Sequence, residues 1–137
     1  VNFWSKVANK KKINNVNFLG FKSPKEIPFF INKSKILLLP QINDKAESPL
    51  KLFEYLSYGK PIVSSSTKPI TEILINKYNS LLFEPGNLKD FDRVVKKYFY
   101  EENLLTEISK NALITSKKYT WNNRAKKIIE IIKKDLN

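Results

Sequence analysis

The chain has 137 residues, and 25 lysines and arginines stand against 13 aspartates and glutamates, a formal net charge of +12. This length builds one domain around one sizeable core, and 42% hydrophobic with 28% charged residues excludes disordered and fibrous classes. Histidine, cysteine and methionine are all absent, which removes zinc and haem ligation, thiol nucleophiles, disulfide frameworks and every imidazole-based triad from these residues. Any chemistry here uses carboxylates, amines, hydroxyls or backbone amides. Val1 is no natural start, so the sequence is expected to be a piece of something longer.

The positive charge is nearly all lysine, with Arg93 and Arg124 the only arginines. Base readers favour the planar guanidinium fork, so the excess argues against specific nucleic-acid recognition and for a background rich in Lys, Asn and Ile. No apolar run approaches the roughly 20 residues of a membrane span, and Lys6 and Lys10–Lys12 break up any N-terminal apolar stretch. A cytoplasmic location is expected, with at most peripheral membrane contact.

In chain order, Asn2–Lys11 has a helical pattern. Val16–Gly20 and Lys35–Pro40 are short contiguous apolar runs ended by Gly and Pro, the pattern of buried parallel strands. Between them, Ser23-Pro24-Lys25-Glu26 opens a helix with Ile27, Phe30 and Ile31 on one side. A second round follows: Ser48-Pro49 opens a helix with Leu50, Phe53 and Leu56 or Leu52 inward, Gly59 stops it, and Pro61–Ser64 is the next strand. A third runs from Pro69 through Ile70, Ile73 and Leu74 to a strand at Leu81–Phe83 and a turn at Pro85-Gly86-Asn87. Four strands with intervening helices predict an α/β fold, a doubly wound parallel sheet with helices on both faces.

Strand signals end at Asn87. Leu88, Phe91, Val94, Val95 and Tyr98 form one helical stripe, and Leu105, Ile108 and Ala112 form another. Thr120 caps a last helix with Ala125, Ile128, Ile129, Ile132 and Leu136 on one side and Lys126, Lys127, Lys133 and Lys134 on the other. The single domain, 1–137, thus divides into a sheet part at about 15–87 and a helical C-terminal part at about 88–137.

Ligands of open parallel sheets bind outside the carboxyl ends of the strands. The loop from Pro40 to Ser48 is long against the usual βα length of about 2–6 residues, and long loops in compact domains tend to be functional. It leads to Ser48-Pro49-Leu50-Lys51, where a helix N-terminus presents amides to an anion such as pyrophosphate. Lys51 opposes the helix dipole there unless an anion sits beside it, or is simply one ill-placed member of a lysine-rich chain. Glu54, at i+3, can accept hydrogen bonds from the vicinal hydroxyls of a ribose or simply pair with Lys51. Weaker candidates are the hydroxyls of Ser64, Ser65 and Ser66 after the following strand, and Glu72 one turn inside the next helix.

The succession NVNFLGF, KILLLP, ESPLKLFEYLSYGKPIVSS, TEILINKYNSLLFEPGN and a terminal YTW before a helix resembles the C-terminal, donor-binding domain of GT-B-fold glycosyltransferases of the "glycosyl transferases group 1" family. The similarity runs from Asn15 to Ile132. It implies a Rossmann-like sheet that binds a nucleotide-diphosphate sugar as co-substrate, without a metal or other cofactor, for transfer with retention. The acceptor would be held by an N-terminal domain that the sequence lacks, and the fragment alone would be inactive. The family carries paired glutamates with seven residues between them, the first touching the donor sugar and the second the ribose. The second falls on Glu54 and the first on Ala46, so Glu47, one position on, is the nearest carboxylate for the sugar. The amide-bearing residues fall on Ser48, Pro49 and Leu50, of which Pro49 cannot donate. Alternative expectations are a non-catalytic nucleotide-sugar-binding or scaffold module, and a basic domain that binds polyanions nonspecifically.

Overall fold

A computed structural model describes residues 2–42 and 50–135, and the chain divides into two units, Val1–Lys33 and Ser34–Asn137. The first unit holds helix α1 (Asn2–Lys10) and helix α2 (Ile27–Lys33). Ser23 and Glu26 make a capping arrangement before α2: the Ser23 amide and hydroxyl both donate to Glu26 Oε2, at 2.9 and 2.8 Å. The amide bond, chiefly, holds the Glu26 carboxyl below its ordinary range.

Val16–Gly20 is not a strand. An extended segment becomes one only through a ladder partner, and among the described residues this segment has none. Its apolar side chains stay open, with Val16 and Leu19 about half exposed.

The second unit carries the sheet. Strands β1 (Leu37–Leu39), β2 (Ile62–Ser65) and β3 (Leu81–Phe83) lie in the order β1-β2-β3 and are all parallel. Leu37 pairs with Ile62, and Val63 with Leu81. The connections are helix α3 (Leu50–Ser57) and the short helix α4 (Lys68–Thr71), and α5 (Leu88–Tyr100), α6 (Glu102–Ser116) and α7 (Trp121–Asp135) follow the sheet.

Alternation along β2 separates two cores. Ile62 joins Leu52 and Leu56 of α3, Ile70, Leu74 and Ala112 on one face, whereas Val63 joins Leu81, Phe83, Val94 of α5, and Leu105 and Ile108 of α6 on the other. The sheet is therefore covered on both sides, as expected of a doubly wound α/β fold, and α6 serves both cores. All four β2 residues are buried, which explains an apolar run without polar alternation.

Two apolar expectations fail at helix starts. Leu50 is 72% exposed and Leu88 is 79% exposed, because each is the first residue of its helix and the register places the inward stripe at Leu52 and Leu56 and at Val94. In α7, capped by Thr120, whose hydroxyl accepts from the Asn123 amide at 3.2 Å, Ile128, Ile129 and Ile132 are about half exposed and no described residue is buried. Leu136 lies outside the described residues. No helix among the described residues is long and apolar enough to cross a membrane.

The turn before β3 holds Lys77 at φ +61°, in the left-handed region. A side chain there costs about 1–2 kcal/mol. Lys77→Gly should therefore raise stability by about 1 kcal/mol in equilibrium urea unfolding, the greater chain freedom of glycine taking back part of the relief. A drop in stability would mean that contacts of the lysine stem outweigh the strain.

Candidate functional site at the carboxyl ends of β1 and β2

Three pieces of the second unit meet at the carboxyl end of the sheet: the segment after β1, the segment after β2, and α3. Ser64 and Ser65 are fully buried. The Ser64 hydroxyl donates to the Leu39 carbonyl at 2.9 Å, and the Ser65 hydroxyl accepts from the Gln41 amide at 2.7 Å. Thr67, 2% exposed, donates to Gln41 Oε1 at 3.1 Å. These hydroxyls staple the chain leaving β1 to the chain leaving β2, and burial takes Ser64 and Ser65 out of reach of a ligand. Ser66 is exposed, and its amide and hydroxyl both donate to the Phe83 carbonyl, at 2.8 and 3.1 Å.

The sequence singled out the hydroxyls after β2 as possible ligands and overlooked Gln41, the partner of Ser65 and Thr67. No periodicity marks a polar pair 26 positions apart. The only signal available is that buried polar groups at parallel strand ends must find partners.

On α3, Lys51 Nζ lies 2.7 Å from Glu54 Oε2, the i to i+3 pair. That bond is the main reason the Lys51 ammonium titrates above its ordinary range. Both groups stay open to solvent, the Lys51 side chain 52% exposed and that of Glu54 32%, so the pair contributes little to stability. It does orient the carboxylate. The first turn of α3 has no acidic residue, so among the described residues Glu54 is the carboxylate nearest in sequence to the positive end of the helix dipole. Phe53, next to Glu54, packs its ring 5.4 Å from that of Tyr119, which ties the site helix to the turn before α7.

Leu50, Lys51 and Glu54 are thus brought together on one exposed helix start. Glu47, Ser48 and Pro49 lie outside the described residues. Glu72 is displaced from its expected position: α4 is only four residues long and ends at Thr71, so Glu72 is the C-cap, exposed, where the dipole disfavours an acid. Among the described residues no group of acidic side chains could hold a metal ion.

The fold that sets this geometry, a parallel sheet covered by helices, is shared with known proteins. Solved structures reproduce the fold: a glycosyltransferase from Rickettsia africae at TM-score 0.83 and 22% identity over 99% of this chain and 37% of that one, and HepE from Anabaena, in complex with UDP and glucose, at TM-score 0.83 and 19% identity over 97% of this chain and 36% of that one. Among curated proteins, an uncharacterized glycosyltransferase of Methanocaldococcus jannaschii is 26% identical over 121 residues, which is 86% of this chain and 34% of the relative. The N,N'-diacetylbacillosaminyl-diphospho-undecaprenol alpha-1,3-N-acetylgalactosaminyltransferase of Campylobacter jejuni is 27% identical over 116 residues, 85% of this chain and 30% of the relative. The chain spans about a third of the length of these relatives. The family model described as Glycosyl transferases group 1 matches residues 3–115, and the chain belongs to that family.

Proposed function

We propose that the chain forms the donor-binding part of a sugar transferase, taking a nucleoside-diphosphate sugar at the start of α3. The observation that carries this reading is the Lys51–Glu54 couple at the carboxyl end of the parallel sheet in a member of a glycosyltransferase family. Glu54 accepts the ribose hydroxyls, while Lys51 and the first amides of α3, at Leu50 and Lys51, face the pyrophosphate. The resemblance in sequence adds Ser48 to the phosphate ligands and Glu47 to the sugar side. HepE, which shares the fold, has been solved with UDP and with UDP-glucose, which supports a nucleotide sugar as the ligand class.

Departure of the nucleoside diphosphate builds negative charge on the pyrophosphate. A helix start and an ammonium stabilise that charge more in the transition state than in the ground state, which is the differential binding that accelerates a reaction. In this reading, transfer with retention proceeds by acceptor attack on the leaving-group face, without a protein nucleophile. The reacting hydroxyl of the acceptor is presented to the donor from outside these residues.

Titration calorimetry of the full-length protein with UDP, GDP and their glucose conjugates tests the reading, and absence of binding by all four would remove it. Lys51→Ala should weaken UDP about tenfold, the loss of one charge-assisted contact, and leave uridine affinity within about twofold. Equal losses for both would place Lys51 away from the phosphates. A second reading, binding without turnover, is favoured by alanine at position 46, where the family has its sugar-contacting glutamate. Donor binding with no transfer to any acceptor glycan would select it. Binding governed by the overall charge would instead weaken steeply with salt and ignore Glu54.

A further inference from the structure

A cavity lies at the end of the sheet opposite the candidate site. It is about 280 Å3 in volume and open to solvent, lined by Tyr98 and Phe99 at the end of α5, by Glu102, Thr106 and Ser109 along one side of α6, and closed below by Leu105. Pro61, which immediately precedes β2, forms its rim, so it opens at the amino end of the strands. The four residues of β2, rising about 3.3 Å each, separate it by about 13 Å from Ser65 and the donor end.

Its chemistry is selective. In a chain with 25 lysines and arginines, none lines this cavity, and among the described residues Glu102 makes no ion pair. A phosphate would meet a carboxylate and no cation, so an anionic ligand is excluded. Phe99 is 70% exposed, and its ring stands 5.3 Å from that of Tyr98 at 85°, so the edge of the cavity is a flat aromatic surface held in place by its neighbour. The Thr106 hydroxyl donates to the Glu102 carbonyl at 3.1 Å, which directs its lone pairs outward as acceptors. An aromatic plane, a carboxylate able to take two adjacent hydroxyls, and two side-chain hydroxyls fit a ring with an apolar C–H face and a polar edge. The volume falls just below the usual range of ligand sites, about 300–1,000 Å3, which suits one sugar ring and not a nucleotide sugar.

We propose that the cavity between α5 and α6 is a subsite for one neutral pyranose unit of a glycan, separate from the donor site. It would hold an acceptor or product chain near the enzyme while the reacting end is elsewhere. Phe99 stacks on the ring and Glu102 accepts its hydroxyl protons.

The test is saturation-transfer NMR on the full-length protein with methyl α-D-glucoside, methyl α-D-mannoside and N-acetylglucosamine, alone and with saturating UDP. At least one sugar should bind, at about millimolar strength, and UDP should leave the signal unchanged. Phe99→Ala and Glu102→Gln, both at exposed positions, should each weaken it about tenfold or more, without altering UDP affinity by calorimetry. Four results overturn the proposal, the first three being no saturation transfer to any of the sugars, transfer that UDP abolishes, and transfer indifferent to both replacements. The fourth is saturation transfer to tetramethylammonium in place of the sugars, which would identify a cation box.

Discussion

Glu54→Ala in the full-length protein is expected to lower uridine affinity about ten- to a hundredfold, the loss of hydrogen bonds from a ribose diol to a charged acceptor at about 1.5–3 kcal/mol. The loss for UDP should be smaller. Glu54 is held 2.7 Å from Lys51, so a ligand that takes both groups must separate them, and alanine at 54 releases the ammonium to the pyrophosphate in advance. The mutation thus removes one contact and strengthens another. Titrating uridine, UMP and UDP against both forms separates the two effects: the penalty should shrink as phosphates are added. Because the Glu54 side chain is a third exposed and belongs to neither core, the melting temperature should hardly move. Uridine affinity equal to wild type would end the ribose assignment, and a uniform loss across the three ligands would end the idea that Lys51 is shared.

The largest effect on stability is expected at a polar residue. Asn79, 1% exposed, closes the turn before β3 with three hydrogen bonds: its Oδ1 accepts from the Ile75 amide at 2.7 Å, and its Nδ2 donates to the Ile73 carbonyl at 3.1 Å and to Thr115 Oγ1 at 3.2 Å. Thr115 in turn donates to the Asn111 carbonyl at 2.7 Å, and Asn111 Nδ2 donates to the Tyr78 carbonyl at 3.1 Å. The turn is in this way fastened to α6. Alanine at 79 removes the partners of the part-buried Ile75 amide and Ile73 carbonyl and of the buried Thr115 hydroxyl, at about 1 kcal/mol for each bond, so Asn79→Ala should reduce unfolding free energy by about 3 kcal/mol in urea. Asn79→Asp keeps the acceptor but loses both donors, and should be at least as damaging. A change below about 1 kcal/mol would show that water satisfies the exposed groups.

How much of this was legible in the sequence varies with the kind of interaction. Leu81–Phe83 as a strand, Gly59 as a helix stop at φ +58°, and Leu105, Ile108 and Ala112 as a buried stripe all follow from local pattern, and the structure repeats them. Val16–Gly20 has the same local signature as β1, yet only β1 has a paired neighbour. Pairing is not local information. Leu50 failed because periodicity gives a spacing and leaves the phase free, and Leu52 with Leu56 fits the spacing as well as Leu50 with Phe53. At the site, Lys51 and Glu54 were found because three positions on a helix are neighbours by geometry. For Ser64 and Ser65 the sequence could not separate a hydroxyl that binds a ligand from one that bonds a neighbouring strand; burial separates them, and it is decided by residues far along the chain, here Leu39 and Gln41, whereas Ser66 stays exposed.

β2 contributes to both cores and carries both ladders of the sheet, and this fixes an order of events when the chain folds. The Leu37–Ile62 and Val63–Leu81 pairings close loops of roughly two dozen and one and a half dozen residues, and no hairpin can shorten either. During synthesis, β1 and β2 can meet as soon as both have emerged, but Val63 waits for α5 and α6 before its face is dry. The first half of the unit is then a transient species with an uncovered apolar ladder, the kind of surface that chaperones hold and that aggregates form from. Ser64 and Ser65 bond Leu39 and Gln41 across the first ladder alone, so the contacts that set its register do not depend on the second.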